Sequence, residues 1–278
     1  MVYKTSAFGF DNVDNLLFNP KTYSKMKFGS RLASLECAQD TADAFIQFLK
    51  DNNITKPIVV APSAYQEIPK SSFHIFKPFV NIVNRWLFEN DRPILTTTRI
   101  RSNHVYNVDY AKLIQKDREE LIGKDKWKFN CDVLDDVHFI IMDDLRMTGN
   151  LEKVVLQQIE NSCISKSTDV HLLYFAENTA VGKIPDNFES DLNHAAIGNY
   201  VDFINLIVAE GKVDWNIRNI KYVLELKDWE MYNFIEAVGT KIPNFLTFFY
   251  DLVIQSNCIS APKYQPNINY LKQLINAN

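Results

Sequence analysis

The chain has 278 residues, 46% of them apolar and 23% charged, and a formal net charge of -4. That length and apolar share suffice for a sizeable core and for two domains. The weak negative balance, with both signs mixed along the chain, leaves no basic face for nucleic acid or an anionic membrane, and points to small-molecule chemistry.

Cys37, Cys131, Cys163 and Cys258 lie far apart with no CxxC pair, which argues against a zinc knuckle and a disulfide scaffold and reads as separate thiols in a reducing compartment. Between Met1 and Phe18, the polar residues Asp11, Asn12, Asp14 and Asn15 break any signal-peptide core, so a cytoplasmic protein is expected. The most lipid-like stretch, Phe245 to Ile254, contains Asp251 and falls far short of the roughly 20 apolar residues of a spanning helix.

Between Ser30 and Lys50, Leu32, Leu35, Ala42, Phe45, Ile46 and Leu49 recur at helical spacing and predict a helix ending near Asn52 with these residues on one face. Ile58 to Ala61, a β-branched run after Pro57, predicts a strand covered on both faces. A second helix is expected over Phe73 to Glu89. Beyond Asp91-Arg92-Pro93, the threonines of Ile94 to Ile100 favour another strand. Ser102 to Asn130 is crowded with charges and reads as a long exposed excursion.

The apolar run Val137 to Met142 ends in Asp143-Asp144-Leu145-Arg146-Met147-Thr148-Gly149-Asn150, and an amphipathic pattern starts at Leu151. Strand, tight loop and helix is the natural parse, and Val170 to Ala176 supplies a further strand. Strands and helices thus alternate from Ser30 to Glu177, the order of a parallel sheet with right-handed crossovers, whose ligands gather at the carboxyl ends of the strands. After Asn178, the stretches Tyr200 to Glu210, Ile217 to Leu226, Trp229 to Val238 and Pro243 to Gln255 all read helical. The many aromatics of this part, Trp215, Trp229 and Phe249 among them, read as core at helical spacing.

Asp143 and Asp144 form the chemical centre of this reading. Paired carboxylates accept hydrogen bonds from sugar hydroxyls and hold a hydrated magnesium ion near a phosphate. Backbone N–H groups from Met147 to Leu151, at a helix start where Gly149 permits close approach, favour the phosphate itself. An acidic pair at a strand end is often no more than a helix cap, and the Thr-Gly loop is what lifts this one above that reading. The register fits no haloacid dehalogenase-type phosphatase, because Arg146 stands two residues after Asp144 where an acid is needed. No GxxxxGK[ST] or GxGxxG loop follows a strand. Of the five histidines, His138 and His171 open strand-like runs and read as structural, which leaves His104 as a weak candidate.

The stretch Phe139 to Leu151 resembles the phosphoribosyl pyrophosphate signature of type I phosphoribosyltransferases, with four apolar residues, two acids and a Thr-Gly loop. Met147, Asn150 and Leu151 depart from the usual small or hydroxyl residues. Ala61 to Pro69 is similar to the pyrophosphate loop of orotate phosphoribosyltransferases, with Gln66 in place of a lysine. The part beyond Glu177 is weakly similar to phosphoribosyltransferases inferred in bacterial stress and tellurium-resistance systems.

The resemblance implies an α/β fold, a parallel sheet with flanking helices over residues 30–177 followed by a smaller helical domain over residues 178–278, and makes the extension 1–29 a candidate part of a hood. It implies phosphoribosyl transfer with Mg2+, using or forming phosphoribosyl pyrophosphate and a nucleobase-like small molecule, and makes a homodimer a candidate assembly. Asp143 and Asp144 become the catalytic acids and metal ligands. Arg146, Met147, Thr148, Gly149, Asn150 and Leu151 become the ribose-phosphate loop, and Ser63, Ala64, Tyr65, Gln66, Arg99 and Arg101 bind pyrophosphate. Because the like-charged acids repel, replacing both by Asn is expected to spare stability. A sensor that keeps the pocket without turnover is the alternative, motivated by Gln66, Met147 and Leu151.

Overall fold

The computed structural model of the chain describes residues 1–103, 125–162, 164–180, 183–185 and 187–277. Most of the charged excursion, His104 included, lies outside the described residues.

Chain order gives β1 (Val2–Phe10), α1 (Pro20–Lys27), α2 (Arg31–Asp51), β2 (Ile58–Pro62), α3 (Phe73–Glu89), β3 (Thr96–Thr97), β4 (Arg101–Ser102) and β5 (Trp127–Lys128). Then come β6 (His138–Arg146), α4 (Asn150–Glu160) and β7 (Asp169–Asn178). Five of the strands make one sheet in the order β1-β7-β6-β2-β3, every pairing parallel. The short β4 and β5 pair antiparallel in a separate ribbon. β2 and the first half of β6 are buried at every position, as strands with both faces covered must be.

Successive side chains of these strands point to opposite faces, and the core divides accordingly. Ile140, Met142, Leu173 and Phe175 join α1, α2 and α3 on one face. Phe139, Ile141, Leu172 and Tyr174 join Val155 of α4 on the other.

Three expectations need correction. The α/β layer starts at Val2, not Ser30: β1 pairs with β7 over Val2 to Phe10, so this part of the 1–29 extension belongs to the sheet. Its polar Lys4, Thr5 and Ser6 suit a sheet edge, and hid the strand from an apolar-run search. In α2, Leu32 and Leu35 are 67% and 51% exposed, whereas Ala33, Ser34, Cys37, Ala38 and Thr41 are buried. Ala42, Phe45, Ile46 and Leu49 are buried as expected, and in the first half of the helix small side chains, not Leu32 and Leu35, form the buried face and let it approach its neighbours closely. Cys37 and Cys258 are buried thiols, but Cys131 is disulfide-bonded. Sequence spacing does not show which cysteines the fold brings together.

The C-terminal part is helical, as expected: α5 (Phe188–Asn193), α6 (Tyr200–Glu210), α7 (Ile217–Leu224), α8 (Asp228–Gly239), α9 (Phe245–Gln255) and α10 (Gln265–Ala277). Asn199 and Asn216 start α6 and α7 as capping boxes, which satisfy amide donors at the helix ends. Phe203, Phe234, Phe245 and Phe249 are core, while Trp229 and Tyr232 are more than half exposed. Phe28 and Ile68, from the α/β part, are buried in this same cluster, so the helical part is seated on the junction of α1 and α2 and on the loop after β2. No helix among the described residues is long and apolar enough to cross a membrane.

Candidate functional site

β6 runs farther than the apolar pattern suggests and carries Asp143, Asp144 and Arg146 within the strand, each residue from His138 to Asp143 and both Leu145 and Arg146 being matched to a β7 partner. The polar residues begin where the strand emerges at the carboxyl edge of the sheet, the edge where ligands of parallel sheets bind. β2 ends beside it, and the loop after β2 touches the acid pair there. Ser63 Oγ donates to Asp143 Oδ1 at 3.2 Å and lies 2.8 Å from Ser72 Oγ. The Asp144 N–H donates to the same Asp143 oxygen at 3.0 Å.

Alternation places the two acids in different surroundings. Asp144 is buried, and its Oδ2 is shared by the ammonium of Lys27, at the end of α1, and Ser71 Oγ at 3.4 Å. Burial alone would lift its pKa, but the charge and hydrogen bond of Lys27, with the Arg218 charge and the Leu145 amide behind them, hold it below the usual carboxylate range. Asp143 has no such ion pair among its hydrogen bonds; burial first, and then the neighbouring Asp144 charge, push it up to about 6. The dyad is therefore asymmetric: Lys27 favours the ionised form of Asp144, and Asp143 holds its proton to higher pH than an ordinary carboxyl. Lys27 thus contradicts the expectation that Asn at both positions spares stability, because it would be left as a buried charge without its partner.

In the candidate phosphate loop, Gly149 stands at φ +74° before α4 and brings no side chain to cap it. An ideal Cβ there would lie 2.8 Å from Arg146 Nη2. Arg146 itself is held by Glu152 at 2.6 Å and approaches Glu177 at 3.8 Å. Met147 packs against the core beside the dyad, Thr148 is partly buried, and Asn150 and Leu151 open α4.

On the other side, Ser63 and Ala64 are buried, and Tyr65 exchanges backbone hydrogen bonds with the strand carrying Arg101: Tyr65 N–H to Ile100 O at 3.3 Å, and Ser102 N–H to Tyr65 O at 3.1 Å. The Arg99 guanidinium sits 4.4 Å above the Tyr65 ring, and among the described residues its buried Nε and Nη2 have no hydrogen-bond partner. Buried guanidinium donors left unpaired are costly, and they suit an anion. Arg101 is 62% exposed and, like Arg99, reaches Glu67 at just under 4 Å, at 3.7 and 3.8 Å respectively. Gln66 points elsewhere, accepting from Asn257 Nδ2 at 3.0 Å, which ties the loop to the C-terminal helices.

Sequence reading passed over Lys27, Ser71 and Ser72, and gave Glu67 no role beyond its place in the β2 loop. Lys27 lies 117 residues from its acid partner, and no local pattern marks it. The adjacent Ser71-Ser72 pair, directly after a loop already singled out, was the one available signal.

The profile of the family described as PRTase ComF-like, PRTase standing for phosphoribosyltransferase, matches residues 1–271. No curated protein matches the chain. Among solved structures, a hypoxanthine phosphoribosyltransferase from Staphylococcus aureus is similar at 13% identity, covering 54% of this chain and 68% of that one with a TM-score of 0.36. A hypoxanthine phosphoribosyl transferase from Trypanosoma cruzi is similar at 9% identity, with coverages of 56% and 71% and a TM-score of 0.36. With its parallel sheet, its acid pair at the end of β6 and a profile match over nearly its whole length, the chain belongs to the ComF-like phosphoribosyltransferase family.

Proposed function

We propose that the chain binds phosphoribosyl pyrophosphate and transfers its phosphoribosyl group to, or removes it from, a nucleobase-like acceptor. The observation that carries this reading is the contact between the β2 loop and the acid pair: Ser63 is hydrogen-bonded to Asp143 of β6 at 3.2 Å. One ligand can then span both, its ribose against the acids and its diphosphate toward Ser63, Tyr65, Arg99 and Arg101.

The residues divide the work by charge. Asp143 and Asp144 accept from ribose hydroxyls, and the negative charge they carry favours an oxocarbenium-like sugar in the transition state. Arg99, with two buried donors that lack partners among the described residues, would receive pyrophosphate oxygens. The first amides of α4, behind Gly149, face the ribose phosphate. No covalent nucleophile is needed.

A divalent ion fits at Asp143, whose Oδ1 accepts from Ser63 and a backbone amide and whose remaining lone pairs suit hydrated magnesium. Asp144 fits it poorly, because the Lys27 ammonium stands against its Oδ2. Magnesium bound there would supply charge neutralisation to the leaving pyrophosphate.

Calorimetric titration of phosphoribosyl pyrophosphate, with and without magnesium, tests the reading. Micromolar binding that weakens about tenfold or more in Arg99→Met is expected, the loss typical of a charge-assisted hydrogen bond. Absence of binding under both conditions would refute it.

One observation favours the sensor reading. Arg146, within the phosphate loop, is engaged by Glu152 and approached by Glu177. Binding of phosphoribosyl pyrophosphate without pyrophosphate release across a screen of nucleobases would decide for a sensor.

A further inference from the structure

The Lys27–Asp144 pair lies where the site meets its support. Both side chains are nearly sealed from water, at 6% and 9% exposure. Lys27 is in the last turn of α1, where the negative end of the helix dipole favours a cation, and its ammonium also lies 5.4 Å from the Tyr23 ring centre.

The backbone on either side of this lysine is fastened by the C-terminal helices. Asn216 Nδ2 donates to the Lys27 carbonyl at 3.0 Å and to His74 Nε2 at 2.8 Å. Asn219 Nδ2 reaches the Phe28 carbonyl at 3.4 Å, and the Asp214 N–H donates to the Gly29 carbonyl at 2.9 Å. Glu210 accepts from Ser30 Oγ and from the Arg31 N–H. Three consecutive carbonyls, starting at Lys27, are therefore held by the segment around α7. So many directional contacts on one short corner fix its position far more tightly than apolar packing would.

Resting on the phosphoribosyl reading above, we propose that Lys27 is a positioning residue that serves as the resident cation of the site, occupying the place a divalent ion would take at Asp144 and aiming that carboxylate at the sugar, with the C-terminal helices holding it there. Asp144 then acts as a hydrogen-bond acceptor only, and any metal in the reaction is carried by Asp143 and the diphosphate. This gives the helical part a role in the chemistry: it sets the position of Lys27.

Manganese binding to the full-length chain, followed by electron paramagnetic resonance without nucleotide, tests the proposal apart from activity. In the wild-type chain, Mn2+ is expected to bind weakly, through Asp143. Lys27→Met should create a site at least about tenfold tighter, because removing a unit positive charge a few ångströms from a divalent ion removes a large repulsion. Lys27→Arg should restore the weak binding. A merely structural lysine would lower the melting temperature in Lys27→Met without creating a metal site.

Wild-type Mn2+ affinity equal to that of Lys27→Met overturns the proposal. Should Lys27→Met not fold, Lys27→Gln, which keeps a hydrogen-bond donor, replaces it with the same expectation. A parallel titration with phosphoribosyl pyrophosphate separates the two readings. Failure of sugar-phosphate binding with the Mn2+ pattern as expected removes the phosphoribosyl reading and leaves Lys27 as the counter-ion of Asp144. The opposite pattern removes the role of Lys27 alone.

Discussion

At the residue scale, neighbours in sequence have opposite electrostatic characters. Asp144 is compensated by Lys27, and Asp143 is pushed up to about 6 by burial and by Asp144. Single substitutions should therefore diverge. Asp143→Asn removes a carboxylate that is strained when ionised, so the melting temperature at neutral pH should hold or rise while phosphoribosyl pyrophosphate affinity falls. Asp144→Asn strands the Lys27 ammonium and should cost about 3–5 kcal/mol, the range for breaking a buried pair from one side. Parallel denaturant melts and calorimetric titrations of the two variants check both outcomes; equal loss of stability would contradict the asymmetry.

At the scale of elements, two glycines fix how segments meet. Gly149 turns β6 into α4 at φ +74°, where an added Cβ would stand 2.8 Å from Arg146 Nη2. Gly149→Ala should cost about 1–2 kcal/mol from the left-handed backbone and displace Arg146, which is read as weakened ribose-phosphate binding. Gly29 is the tighter case, at φ +86°, where an added Cβ would stand 2.0 Å from the Asp214 carbonyl oxygen. Backbone on both sides cannot yield as a side chain can. Gly29→Ala should lower stability by more than the Gly149 change and make the chain beyond residue 178 the first part cut in limited proteolysis.

At the scale of the whole molecule, three buried histidines set a pH dependence. Burial lowers His74 and His138 to about 4 and His171 to about 3. His138 and His171 share a hydrogen bond of 3.0 Å between β6 and β7, and His74 accepts from Asn216. Their depressed pKa values mean that between roughly pH 4 and pH 6.5, the ordinary histidine value, the unfolded chain binds more protons than the folded one. The histidine contribution is therefore complete above that ordinary value and falls as pH drops through the window, while Asp143, raised to about 6, offsets about one histidine's share below that pH. The expected slope is about 1.4 kcal/mol per pH unit for each histidine. Denaturant melts between pH 7 and pH 5 should show this loss, and His171→Gln should flatten it; a pH-independent stability would contradict neutral burial.

The sequence by itself determined the alternation of strand and helix, because β-branched runs such as Ile58 to Ala61 and helical periodicities such as Phe73 to Glu89 are local signals. It also marked the acid pair, the Thr-Gly loop and the β2 loop, since their chemistry is carried by contiguous residues. Only the tertiary structure decided what lay between distant positions. The polar edge strand β1 is a strand because β7 offers it a partner. Leu32 and Leu35 face outward because the smaller residues of α2 pack better, and Lys27 becomes part of the site because α1 ends against β6. Charge compensation and close packing act through space, and no run of neighbouring residues records them.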